Sequence, residues 1–137
     1  MADLVITAAN VVAGAGATRV EGTAGEAITA GQAVYYDRAD KSYKLADCDS
    51  ATAAVRAPRG IALNNAADGQ PIDVHTEGPI TIGATVTAGV AYYLSATAGG
   101  ICPVADLASG DYPTILGIAT SASVLDVQIH SAGVALA

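Results

Sequence analysis

One stretch of this chain occurs twice, and the repetition limits the folds that the chain can adopt. Residues 25–35 read GEAITAGQAVY and residues 83–93 read GATVTAGVAYY, at an offset of 58 (83 − 25). The match resumes at 60–62 and 117–119, which both read Gly-Ile-Ala, at an offset of 57 (117 − 60). Two copies of one short unit predict one compact domain with two similar lobes.

The repeat divides the chain into three predicted parts. Residues 1–24 are an N-terminal strand or arm with a Gly/Ala connector, residues 25–82 are the first β unit, and residues 83–137 are the second. Strand signals recur about every ten residues, and no long segment has the helical period. The sequence therefore predicts an all-β fold, a β-sandwich or small β-barrel of two repeated units with an extended N-terminal arm.

The local patterns place individual strands. Residues 4–7 are predicted as the first strand, and residues 33–36 are expected to return through 42–45 as a hairpin. Residues 71–77 alternate polar and apolar side chains, as do residues 124–130 in the second unit. In each pair of adjacent tyrosines, one ring is expected to be in the core and the other exposed or at an interface.

The charge distribution excludes some partners and favours others. The net charge of −7 disfavours binding to nucleic acid through phosphates, and no apolar run approaches the roughly 18 residues of a membrane helix. All six basic residues precede residue 60, and from residue 79 onward the only acidic residues are Asp106, Asp111 and Asp126. Because interface cores are depleted in charge, this favours burial of the second unit against other subunits. A Ser/Thr/Ala-rich solvated surface is the alternative.

Two groups of side chains have the composition of cation sites. Asp73, His75 and Glu77 share one strand face, which suits either a metal or the solvated side of an amphipathic strand. Carboxylates at 37, 40, 47 and 49 surround a hairpin and suit either calcium or ion pairs with neighbouring basic residues. The solvated interpretation is favoured for both groups, so we predict no metal and no cofactor.

The sequence offers little for catalysis. Both histidines, His75 and His130, are predicted on exposed strand faces, and no nucleophile sits on a strand-to-helix elbow. Gly14-Ala15-Gly16 is followed by no phosphate-binding lysine. Cys48 and Cys102 are not equivalent in the repeat and are predicted to be free thiols. We therefore expect no catalytic residues and a protein that is not an enzyme.

Four segments of the chain form a recognisable series: 28–37 (ITAGQAVYYD), 43–47 (YKLAD), 60–63 (GIAL) and 72–78 (IDVHTEG). Together they resemble small head-decoration (cement) proteins of tailed bacteriophages. Their order is a Gly-led strand ending in Asp, a Lys-Leu hairpin return, a Gly-Ile-Ala strand and a last strand ending in Gly. Single-unit decoration proteins carry this pattern once, whereas here it occurs twice.

The resemblance implies a β-tulip-like or sandwich domain on the outer surface of the virion capsid, assembled in the host cytoplasm. Its implied partners are the major capsid protein and further copies of this chain, as a dimer or trimer. In such proteins the N-terminal segment often adds a strand to the capsid protein. The expected contact residues are Leu4, Val5, Ile6, Val11, Val12 and Tyr92. The alternatives are a tail, fibre or head-spike protein, or a host-surface carbohydrate-binding module that uses Tyr36 and Tyr92.

Overall fold

The chain folds as an all-β protein, as predicted. The computed structural model describes residues 3–136, and within them ten strands and two single-turn 3-10 helices, Ala8–Asn10 and Val104–Asp106, are formed without any α-helix. The strands are β1 (Val12–Ala13), β2 (Thr18–Thr23), β3 (Ala33–Asp37), β4 (Ser42–Leu45), β5 (Gly60–Ala62), β6 (Pro71–Thr81), β7 (Ala91–Leu94), β8 (Ile101–Pro103), β9 (Thr114–Ala119) and β10 (Val124–Ser131).

All ten strands belong to one curled antiparallel sheet. Its order is β4-β3-β5-β6-β10-β9-β7-β8, and β1 and β2 pair with β6 outside this path. The long strand β6 connects the two halves, since residues 71–77 pair with β2 and residues 78–81 pair with β10. Gly78 begins the second stretch and has a φ of 94°, a backbone conformation that favours glycine. The bend at this glycine lets one strand serve both halves.

The predicted hairpin of β3 and β4 is confirmed, and its stability has local causes. Tyr36 pairs with Tyr43, and their rings meet edge to face with centroids 5.1 Å apart. The ammonium group of Lys44 binds the carboxylates of Asp37, at 2.9 Å, and of Asp40 in the connecting turn. The hydrogen bond from Lys44 is the main cause that lowers the pKa of Asp37. The acidic turn is thus neutralised within the hairpin.

Buried apolar side chains form two clusters. The smaller core lies within the first half and contains Ala24, Ile28, Val34, Tyr43, Ala62, Ala66, Ile72 and Val74. The larger core joins both halves and contains Val11, Ala30, Ala33, Tyr35, Ala46, Cys48, Ile61, Ile80, Ile82, Val86, Tyr92, Leu94, Ile101, Leu116, Ala119, Leu125 and Val127. Strand β5 lies between the two, because Ile61 belongs to the larger core and Ala62 to the smaller.

The N-terminal part of the chain differs from the prediction. Residues 4–7 form no strand, and the first strand pairing involves Val12–Ala13 against β6. Strand β2, Thr18–Thr23, falls in the segment that was predicted as arm and connector. Its six residues include a glycine and two charged side chains, so it is a weak strand former by itself. Pairing with β6 over its whole length provides the hydrogen bonds that its local sequence does not predict.

Candidate functional site

The N-terminal segment lies along the edge of the second half. The backbone amide of Leu4 donates to the carbonyl of Ile101 in β8 at 2.8 Å. The amide of Thr7 donates to the carbonyl of Gly83, beyond the end of β6, also at 2.8 Å. The segment thus connects β8 with the end of β6 and is docked on its own chain.

Side chains of the segment alternate between the core and solvent. Leu4 and Ile6 pack against the larger core, and Val11 is buried in it. Val5 is 87% exposed and Val12 is 58% exposed. The five predicted contact residues of this segment are therefore divided. Val5 and Val12 are accessible to a partner, whereas Leu4, Ile6 and Val11 stabilise this chain's own fold.

The two exposed valines line the same depression in the surface. This depression has a volume of about 680 Å³ and contains no ionisable side chain. Its lining residues are Val5, Thr7, Ala9, Asn10, Val12, Thr81, Gly83, Ala84, Thr85 and Ser123. An uncharged surface with exposed aliphatic side chains is suited to contact with protein.

Tyr92 is not on the surface. Its side chain is 5% exposed in the larger core, and its hydroxyl accepts a hydrogen bond from the amide of Thr87 at 3.0 Å. The prediction that Tyr92 contacts a partner does not hold in this conformation, because Tyr92 and Leu94 point into the core and Tyr93 points outward. Tyr36, the other tyrosine considered for glycan stacking, is half-buried against Tyr43.

The three polar residues of β6 do not form a metal site. His75 was predicted to be exposed but is fully buried, while Asp73 is half-buried and Glu77 is exposed. The Nε2 atom of His75 lies 2.7 Å from the carbonyl oxygen of Gly78 and donates its proton to it. The predicted alternation of side chains along β6 is confirmed. The face that carries the polar residues is nevertheless buried at His75, because His75 pairs with Ile61, which belongs to the larger core.

The carboxylates around the first hairpin are separated into two environments. Asp37 and Asp40 bind Lys44, as the ion-pair interpretation expects. The pKa of Asp47 is raised, first by burial and then by its hydrogen bond with Asp49. The first pair of carboxylates thus has a cationic partner, whereas the second pair is linked by a hydrogen bond between carboxyl groups.

A different group of potential ligands was not predicted from the sequence. The carboxylates of Asp3 and Asp106 and the thiol of Cys102 have ligand atoms within 4.8 Å of one another. Asp3 also accepts a hydrogen bond from the hydroxyl of Ser95 at 2.7 Å. Burial, followed by the charges of the two aspartates, raises the pKa of Cys102 to about 12, so its thiol keeps its proton. The fold thus brings three potential ligand atoms together from two distant parts of the sequence.

Both thiols are expected to be unreactive in the folded protein. Cys48 and Cys102 are free and buried, and burial is the main cause that raises each pKa from an ordinary 9.0 to about 12. At pH 8 the folded protein then contains about a thousandfold less thiolate than the unfolded chain. We predict that iodoacetamide modifies both cysteines slowly in buffer and rapidly in denaturant, as followed by mass spectrometry. Equal rates in the two conditions would contradict this burial.

The same shift has a consequence for stability in alkali. Because folding raises both thiol pKa values, the contribution of the protonated thiols to stability is complete below pH 9 and is lost as the pH rises towards about 12.

Comparison with known proteins gives no family for this chain. No protein-family model matches it, and no curated protein matches it. Within residues 3–136, no helix has the length and hydrophobicity needed to cross a membrane.

Proposed function

We propose that this protein is a non-enzymatic decoration (cement) protein of a tailed-bacteriophage head. It binds the outer surface of the shell of major capsid protein and stabilises the head through many repeated contacts. The observation that carries the proposal is the uncharged depression beside the N-terminal segment, with Val5 and Val12 exposed on it.

The strand assignments are consistent with the resemblance to decoration proteins. The four segments that carry it fall on β3, β4, β5 and β6 in that order, so the pattern corresponds to folded strands. Three of these strands, β3, β5 and β6, are neighbours in the sheet, and β4 pairs with β3. The resemblance therefore concerns a contiguous unit of the sheet.

We further propose that the chain is a tandem duplication of one barrel-like β unit. The first unit comprises β2 to the first part of β6, and the second comprises the end of β6 to β10. Both hairpins have the same register, since Val34 pairs with Leu45 in the first and Tyr92 pairs with Pro103 in the second, each residue displaced by 58 (92 − 34 and 103 − 45). The sheet order supports the duplication, because β4-β3-β5-β6 corresponds to β8-β7-β9-β10.

The duplication also gives a structural counterpart for His75. Ile61 pairs with His75 in the first unit, and Ile118 pairs with Asp126 in the second. Under the proposed duplication, the strand pairings make Asp126 the counterpart of His75. The side chain at this position is an imidazole in one unit and a carboxylate in the other, which fits a repeat that preserves strand packing without a shared reactive site.

The N-terminal segment provides the proposed contact with the capsid. Its outward side chains, Val5 and Val12, are large, aliphatic and exposed, and β1 pairs with β6 as a short strand. An extended segment of the capsid protein that packs on these valines would bury apolar surface without burying charge. In contrast to a free arm, this contact leaves Leu4 and Ile6 in the core.

The proposal is tested by cosedimentation with shells assembled from the major capsid protein encoded in the same genome. The wild-type protein is expected to sediment with expanded shells at a fixed ratio. Val5→Glu and Val12→Glu are expected to weaken binding about tenfold or more, because each places a carboxylate in an apolar contact. Val134→Glu is the matched control, since Val134 is exposed and lies outside the depression. Failure of the wild-type protein to bind shells, or labelling of tails by a specific antibody, would contradict the assignment to the head.

A further inference from the structure

Two rows of side chains cross the outer face of β7, β9 and β10. Each row is defined by strand pairing, one at the level of Ile118 and the other at the level of Ile115. The first row is Ala91, Ile118 and Asp126, and the second row is Tyr93, Ile115 and His130. We call these six residues the β7–β9–β10 face.

This face is accessible and partly apolar. Ile118 is 50% exposed, and Asp126 and His130 are exposed on either side of Gln128. A depression of about 400 Å³ between β9 and β10 is lined by Ile115, Ile118 and the polar residues of β10. An exposed isoleucine in a sheet depression is a candidate contact residue.

The corresponding face of the first half of the sheet is covered. There Ala33 pairs with Ile61, which pairs with His75, and all three side chains are fully buried. The row of Ala91, Ile118 and Asp126 has the same strand pairings, but Ile118 and Asp126 are exposed and Ala91 is only half-buried. This face is therefore buried in the first half of the sheet, and its equivalent in the second half is exposed to solvent.

We infer that a second copy of this chain covers the β7–β9–β10 face, through the same face on both copies. A twofold axis that runs across the strands, between the two rows, places each row opposite the other row of the partner copy. Asp126 then faces His130 of the partner copy, and Ile118 faces Ile115. Ala91 faces Tyr93, so a small side chain meets a large one. Such self-complementarity is what an isologous dimer requires, and the two sheets would pack about 10 Å apart.

The presence of both Asp126 and His130 on this face favours a second copy of the chain over a generic apolar partner. The chain has a net charge of −7, so two copies repel each other unless specific contacts compensate. From residue 60 onward, His75 and His130 are the only side chains that can carry positive charge, and His75 is buried. In the inferred dimer, His130 of each copy faces Asp126 of the other copy, and Asp126 carries the one carboxylate of this face. This inference depends on the geometry of the face and holds or fails independently of capsid binding.

Sedimentation equilibrium of the purified protein, with charge-exchange variants, tests the dimer. The wild-type protein is expected to be dimeric, and Asp126→Lys and His130→Asp are each expected to weaken the dimer about tenfold or more. The first substitution removes the carboxylate that pairs with the imidazole of His130, and the second places two carboxylates opposite each other. The double variant restores opposite charges and is expected to recover most of the affinity. Ile118→Glu is expected to give a monomer, while Val134→Glu remains dimeric.

All four positions are solvent-exposed, so the substitutions should leave the fold of the single chain intact. In thermal unfolding followed by circular dichroism, the monomeric variants should unfold cooperatively with a midpoint that is independent of protein concentration, whereas the wild-type midpoint should rise with concentration because dimerisation stabilises the folded chain. If Ile118→Glu does not fold, Ile118→Ser tests the same contact. A wild-type protein that is monomeric at millimolar concentration, a trimer, or a dimer that is insensitive to these variants would overturn the inference.

Discussion

Alanine at Gly60 or at Gly117 is expected to destabilise the protein by about 3 kcal/mol, towards the upper end of the range for overpacking. A Cβ atom at Gly60 would overlap the carbonyl oxygen of His75, and one at Gly117 would overlap the carbonyl oxygen of Asp126. Both obstacles are backbone atoms of the neighbouring strand and cannot rotate away. Denaturant unfolding followed by circular dichroism measures the loss.

The matched control for these two variants is Gly69→Ala. Gly69 has a φ of 86°, and a Cβ atom there would meet no atom within 4 Å, so only backbone strain of about 1 kcal/mol is expected. The proposed duplication predicts equal losses at Gly60 and Gly117, because each occupies the same place in its half. A loss no greater than that of the control at either position would contradict the equivalence of the two halves.

Replacement of Ile6 by alanine is expected to lower the free energy of unfolding by about 2 kcal/mol, the lower end of the range for truncation of a core residue. Ile6 packs against the larger core, and its Cγ2 methyl lies where a Cβ atom of Gly31 would be, so that glycine leaves room for it. Val5→Ala is the neighbouring control and is expected to change stability by less than about 0.5 kcal/mol, because Val5 is exposed.

The comparison of Ile6 with Val5 also separates two accounts of the N-terminal segment. If the segment were a detached arm, Ile6→Ala and Val5→Ala would have the same small effect on the free energy of unfolding. If the segment is docked, only Ile6→Ala should lower it substantially. Deletion of residues 2–12 would then remove Leu4, Ile6 and Val11 from the core and destabilise the fold. Loss of shell binding in that deletion would therefore not identify a contact, whereas Val5→Glu tests the contact with the fold intact.

The parts of the fold that were predicted correctly depend on short-range patterns. The β3–β4 hairpin combines β-branched and aromatic residues with an acidic turn, and these features lie within a dozen residues. The alternation of β10 likewise places Leu125 and Val127 in the core and Asp126 in solvent. Each of these elements carries its own signal in the sequence.

The predictions that were wrong concern residues whose structure is determined by contacts with distant parts of the chain. Strand β2 is stabilised by pairing with β6 some fifty residues later, and its own composition is that of a connector. His75 occupies a polar position of an alternating strand, but the larger core covers that face. The proximity of Asp3 to Asp106 depends on how the N-terminal segment docks beside β8, for which no local pattern exists.

The candidate site could be predicted only in part, because local patterns indicate strand residues but do not show which way each side chain points. Val5 and Val12 were expected to contact a partner, and the structure places them on an accessible surface. Tyr92 was predicted to be the partner-contacting ring, but which tyrosine of the pair points outward depends on which face of β7 is buried. Packing of Tyr92 and Leu94 in the larger core decides this. Adjacent tyrosines on a strand carry no signal that distinguishes the inward from the outward ring.

The most direct test of the proposed function is a cryo-electron microscopy reconstruction of capsid shells assembled with and without this protein. The account predicts added density on the outer surface of the shell, large enough for both halves of the sheet, with Val5 and Val12 facing the capsid protein. Identical reconstructions in the two conditions, or density confined to a tail or fibre, would contradict it.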